Sequence, residues 1–183
     1  CAGDKGGIIG LLGSDNIEVK DCNINNVDLD RTSKVTGNAY GATGGVIGNM
    51  CKYAIYNDQS NMNSVKIMNC KVANSNIKTQ GKEAAGIVGC AYGSREVTNI
   101  SITDCVVDNC DVLNRDTYST YSASGGICGV LYETGNININ NNIVNKTSIE
   151  SSLGTSSYAN DCNVGGIIGG TWSLSKSKIS NND

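Results

Sequence analysis

Three kinds of residue in this 183-residue chain could carry chemistry: nine cysteines, 17 aspartates and glutamates, and an aromatic set of eight tyrosines and one tryptophan. Histidine is absent. Its absence removes the Ser-His-Asp and Cys-His nucleophile pairs and every His-ligated metal site. The nine cysteines contain no Cys-x-x-Cys pair, so neither a zinc ribbon nor a thioredoxin-like centre is signalled, and their odd number leaves at least one thiol unpaired within a monomer. The carboxylates give no convergent set. Asp21 and Asp104 occupy equivalent points of a repeated motif with Asn69 between them, and Asp28, Asp30 and Arg31 read as a solvated surface cluster. No catalytic residue, no metal ligand and no cofactor is assigned from these patterns.

Charge and hydropathy narrow the partners. A net charge of −3 and a pI near 4.9 argue against nucleic acid, which calls for clustered Lys and Arg. There is no run of 18 or more apolar residues, so no membrane insertion is expected. Cys1 at the start reads as a processed or trimmed terminus.

The elements that must position these residues come from a repeat. Gly-Gly-Ile-Ile-Gly at 6–10 returns as GGVIG at 44–48, AGIVG at 85–89, GGICG at 125–129 and GGIIG at 165–169. A second motif follows, at 17–29, 65–77, 100–112 and 137–149. Aligned, its apolar positions superpose: Ile17, Val65, Ile100 and Ile137; Val19, Ile67, Ile102 and Ile139; Ile24, Val72, Val107 and Val144; Leu29, Ile77, Val112 and Ile149. Ile179 matches Val19 in a fifth, partial copy. The apolar residues alternate as on a strand with one buried face. The phase breaks at Asp21-Cys22, Asn69-Cys70, Asp104-Cys105 and Asn141-Asn142, where Asn or Asp tolerates a bend, and a second bend falls near Asn26, Asn74 and Asn109. The Gly pair suits a tight corner or a close backbone approach.

These signals predict an all-β chain, a parallel β-solenoid of about four and a half repeats of about 40 residues in a single domain over 1–183. The repeats fall at about 6–43, 44–84, 85–124, 125–164 and 165–183, each supplying three strands and one coil. One repeat alone buries too little apolar surface to fold, so the coils must stack on each other. The polar segments 30–43, 78–84, 113–124 and 150–164, and an insertion at 51–61, are expected to bulge as loops. Neither end carries a polar cap, so flanking repeats or other copies of the chain, end to end, are expected partners.

The Gly-Gly-aliphatic-aliphatic-Gly phrase followed by a β-rich segment with Asn-Cys or Asp-Cys resembles the GLUG-type repeats of bacterial surface and adhesin-like proteins. The resemblance covers residues 6–183. It implies an extracellular or cell-surface location and a non-catalytic role as a structural stalk or adhesive segment.

Two columns follow from stacking. Cys22, Cys70 and Cys105 share one motif position, with Asn142 and Asn182 taking it in the later copies. They read as a buried column of thiols acting as small hydrophobes, with inter-coil disulfides the rival. Cys128 replaces an aliphatic of the Gly-rich strand and reads as core. Cys51 and Cys90 are the pair best placed for a disulfide, which would suit an oxidising compartment. Tyr92, Tyr132 and Trp172 each lie seven residues after the start of the Gly-rich phrase. Three rings in vertical register either stack on themselves or offer a flat platform to sugar rings. The second reading is therefore a carbohydrate-binding module using Tyr92, Tyr132 and Trp172, with host or environmental glycans as partners. The third, a polysaccharide-cleaving enzyme, needs convergent carboxylates. Asp21 and Asp104, two coils apart at about 10 Å, are loosely spaced for paired acid/base work.

Overall fold

The computed structural model describes residues 3–32, 41–50, 64–92, 99–115, 121–132, 135–152, 161–172, 174 and 176–183. These are all-β, 67% strand with no helix. The first coil holds β1 (Lys5–Gly6), β2 (Ile9–Leu12), β3 (Ile17–Lys20), β4 (Asn23–Asn25) and β5 (Asp28–Arg31). The second holds β6 (Ala42–Gly44), β7 (Ile47–Met50), β8 (Ser64–Met68), β9 (Lys71–Ala73) and β10 (Asn76–Thr79). The third runs through β11 (Glu83–Ala85), β12 (Val88–Tyr92), β13 (Asn99–Thr103), β14 (Val106–Asp108) and β15 (Asp111–Asn114). The fourth comprises β16 (Tyr121–Gly125), β17 (Cys128–Tyr132), β18 (Asn136–Asn140), β19 (Ile143–Asn145) and β20 (Ser148–Ser151). The fifth has β21 (Asp161–Gly165), β22 (Ile168–Trp172) and β23 (Lys176–Ser180).

Each strand pairs in parallel with the strand five elements on, giving five parallel sheets of four or five strands. The chain is therefore a parallel β-solenoid with one coil per repeat. All four apolar columns of the sequence are adjacent rungs: Val19↔Ile67↔Ile102↔Ile139↔Ile179 in the sheet of β3, for example, and Leu29↔Ile77↔Val112↔Ile149 in that of β5. All of them except Leu29 and Ile179, in the first and last coils, line one continuous core.

Five strands per coil replace the expected three. The segment after the first bend divides at the second into the strands of the β4 and β5 sheets, and a further strand precedes each Gly-Gly corner. The segment 78–84 is a short three-residue bend at 80–82 between strands: Thr79 closes β10 and Glu83 opens β11. The parts of the other expected loops at 33–40, 51–63, 116–120 and 153–160 lie outside the described residues. Polarity misled here because Thr79, Asn114, Ser122 and Ser124 are buried and bonded to backbone or neighbouring side chains.

The Gly-rich strands of the middle coils are covered on both faces. Ile47, Val88 and Cys128 enter the main core. Cys90 and Val130 face a second, smaller cluster with Ala42 and Ala123.

Both bends form as predicted, and the physical cause is explicit. Asp21, Asn69, Asp104, Asn141 and Asn181 at the first bend, and Asn26, Asn74 and Asn109 at the second, all have φ between 50° and 57°. Asn and Asp tolerate that left-handed conformation because their short polar side chains bond locally. The Gly pair makes the corner and permits close backbone approach. A Cβ on Gly86 would lie 2.2 Å from the carbonyl oxygen of Gly126 on the next coil.

Candidate functional site

Beyond the bends, the side chains with chemical potential run as ladders parallel to the stacking axis. On the outside of the first bend, Asn69 Nδ2 donates to Asp21 Oδ1 at 2.7 Å and Asn141 Nδ2 to Asp104 Oδ1 at 3.3 Å. At the second, Asn109 Nδ2 donates to Asn74 Oδ1 at 2.8 Å. Asp21 and Asp104 are thus each paired with the amide of the coil above, and both are exposed. Among the described residues, no group of three or more Cys, Asp or Glu is placed to hold a metal ion.

Just after the first bend the side chains turn inward. Cys70 and Cys105 are buried, Cys22 is half-buried, and all three are thiols. The Cys70 and Cys105 sulfurs reach the carbonyl oxygens of Val19 and Ile67 on the preceding coil, at 3.8 and 3.9 Å. Asn142 and Asn182 do the same with their amides, donating to Ile102 and Ile139 at 2.9 and 3.1 Å. Cys and Asn interchange in this column because both are small donors. Asn142 is the stronger partner, since its Oδ1 also accepts from the Cys105 backbone N–H at 3.0 Å.

The sequence reading missed the equivalent column at the second bend. Ser75 donates to the Ala73 carbonyl and accepts from Val27 N–H, and Thr147 accepts from Cys110 N–H. It also missed a clasp that closes each of the first three coils. Arg31, Thr79 and Asn114 are adjacent rungs. They donate to the carbonyls of Gly3 (2.9 Å), Gly41 (3.2 Å) and Lys82, each just ahead of the first strand of the same coil. Arg31 is therefore not part of a solvated cluster: it is 1% exposed, whereas Asp28 is exposed. The signal was present in the alternation. Each of these residues lies two positions after an inward aliphatic (Leu29, Ile77, Val112), which on a strand puts it on the same face.

The aromatic positions fall on adjacent rungs: Tyr92 pairs with Tyr132, and Tyr132 with Trp172. The Tyr132 side chain is half-buried against the small cluster of Ala42, Cys90, Ala123 and Val130. Tyr121, expected in a polar loop, lies on β16 and packs on that same cluster. Burial and the nearby Glu83 carboxylate push its phenol above the ordinary range. A Cβ at Gly170 would meet its hydroxyl at 2.3 Å. Tyr40, Tyr118 and Tyr158 lie outside the described residues, as does Cys51 of the expected Cys51–Cys90 pair. Cys90 is fully buried. Cys128 is core as expected, its thiol pushed up by burial.

No family model, no curated protein and no solved structure matches the chain.

Proposed function

We propose that the chain is a non-catalytic repeat module of the GLUG type: a structural stalk or adhesive segment of an extracellular, cell-surface protein. The observation that carries the reading is where the polar side chains go. Asn, Asp, Ser, Thr and Cys run in ladders that bond one coil to the next and, with Arg31, close the first three coils on themselves. Such ladders serve stiffness along the stacking axis. The carboxylates at the first bend pair with amides rather than with each other. Flanking repeats or other copies would cover the ends, where Ile8 and Ile179 are about half exposed (52% and 48%).

A second reading, glycan binding, is favoured by one observation: in-register pairing brings Tyr92, Tyr132 and Trp172 onto three successive rungs. One experiment addresses both. The purified chain is screened against glycans and host matrix proteins, and its particles are measured by electron microscopy. Rods joined end to end with no saturable ligand support a spacer. A saturable glycan lost on Trp172→Ala, with the circular dichroism spectrum unchanged, supports the binding module. Release of reducing ends from a polysaccharide would overturn both.

A further inference from the structure

The inner column at the first bend holds three thiols on consecutive coils, and their environments differ in a way that stacking does not require. Backbone bonds keep the coils in register through this column: Lys71 N–H donates to the Cys22 carbonyl at 2.8 Å and Val106 N–H to the Cys70 carbonyl at 2.9 Å. Neighbouring parallel strands lie about 4.8 Å apart, inside the Cα separation a disulfide accepts. The Cys22 and Cys70 sulfurs point the same way, each reaching the carbonyl two residues back, at 3.4 and 3.3 Å. Cys22 is half-buried; Cys70 and Cys105 are buried. The neighbouring Cys105 thiol lowers the pKa of the Cys70 thiol to about 6, whereas burial and the Cys70 sulfur raise that of the Cys22 thiol. The resolving sulfur therefore carries more thiolate than the capturing one, and accessibility, not acidity, selects Cys22 for the first step.

We propose that Cys22 and Cys70 form a thiol–disulfide exchange pair, with Cys22 capturing a small disulfide of the glutathione class and Cys70 resolving it into a covalent staple between the first two coils. In the first step the Cys22 thiolate attacks one sulfur of the small disulfide; a Cys22–glutathione bond forms and one glutathione thiolate leaves, taking up the Cys22 proton. In the second the Cys70 thiolate attacks the Cys22 sulfur; the Cys22–Cys70 bond forms and the second glutathione leaves with the Cys70 proton. Two protein thiols lose two electrons and two protons, and one small disulfide becomes two thiols. The inference is independent of the surface-module reading.

Cys162 supplies an internal control. It is also half-buried, but its rung partner is Ser122, so among the described residues no cysteine stands on the adjacent rung to resolve a mixed disulfide. The whole chain is incubated with oxidised glutathione, blocked with N-ethylmaleimide, digested with trypsin and mapped by mass spectrometry. Cleavage at Lys20, Arg31, Lys66 and Lys71 places Cys22 and Cys70 on separate peptides, 21–31 and 67–71. The expected result is these two peptides joined, and separated again by dithiothreitol, with glutathione retained on Cys162. The Cys70→Ser chain retains glutathione on Cys22, and Cys22→Ser abolishes the link. Serine keeps the small donor that Ser75 already supplies at the second bend, and circular dichroism checks that both variants fold. Glutathione persisting on Cys22 of the unaltered chain, or a Cys22 that stays unmodified in Cys70→Ser, overturns the proposal.

Discussion

Among the described residues, ten non-glycine positions adopt the left-handed backbone conformation, and all but Lys146 are Asn or Asp. That conformation costs an ordinary side chain about 1–2 kcal/mol, so Lys146, with φ 47°, is the one misfit in the second-bend column. Lys146→Asn is expected to stabilise the chain by about 0.5–1 kcal/mol, read as a higher urea midpoint at unchanged slope. Asn142 works in the opposite direction. It bonds the Cys105 N–H and the Ile102 carbonyl inside the core, so Asn142→Ala strands both and is expected to cost about 2–4 kcal/mol. Asn142→Cys, which restores one donor as at Cys70 and Cys105, costs less; equal losses for the two variants would count against the donor role. Cys128 gives a pH effect. Burial, with a smaller contribution from Glu83, raises its thiol above the ordinary 9.0. A group whose pKa is higher in the folded chain contributes stability that is complete below the unfolded value and drains away as pH rises past it. The urea midpoint should therefore fall between pH 8 and pH 10, and the fall should be shallower in Cys128→Val. Valine already occupies the same column as Val88, so that variant stays within about 1.5 kcal/mol at pH 8.

Glycine decides the geometry of an element. In the Gly-rich phrase the second position is Gly7, Gly45, Gly86, Gly126 and Gly166. In the first four, a Cβ would lie 2.0–2.2 Å from the carbonyl of the neighbouring coil's equivalent glycine, while Gly166 has nothing within 4 Å. The clash is with backbone, which cannot swing aside as a side chain would. Gly86→Ala is expected to cost about 3 kcal/mol or more, and Gly166→Ala less than about 0.5 kcal/mol. Thermal unfolding of the pair tests this, since both alter the same motif and differ only in what lies above. At the first position Ala85 stands in the third copy, while a Cβ on Gly6, Gly44, Gly125 or Gly165 would lie 1.9–2.0 Å from the carbonyl oxygen three residues on. This hierarchy was only half legible. The repeat marked the glycines as corners, but which one a methyl group would break depends on the coil stacked against it.

At the scale of the molecule, burial is a property of the stack. Ile67, Ile102 and Ile139 are fully buried, whereas Ile179, the same residue in the same column, is 48% exposed at the end. In a stacked array stability is a sum over coils and their interfaces, so protection should peak in the middle. Hydrogen exchange is expected to be slowest in β13 and β14 and fastest in β1 and β23. Ile102→Asp should unfold the chain, while Ile179→Asp should lower its stability by about 1 kcal/mol or less. A uniform exchange profile would mean that the coils unfold as one block.

The sequence alone determined the repeat, the parallel stacking, the four apolar columns and both bends. Each follows from a local rule, strand alternation or the tolerance of Asn and Asp for a left-handed turn, copied from coil to coil. The aromatic register was legible for the same reason. Only the tertiary structure decided that Arg31 is a buried clasp, that Thr79, Asn114, Ser122 and Ser124 face inward, and that the Gly-rich strands of the middle coils are covered on both sides. A polar residue alternating with polar neighbours looks solvated in one dimension. Whether it meets water or a carbonyl depends on where the coil closes, and that closure joins segments separated by nearly a whole repeat.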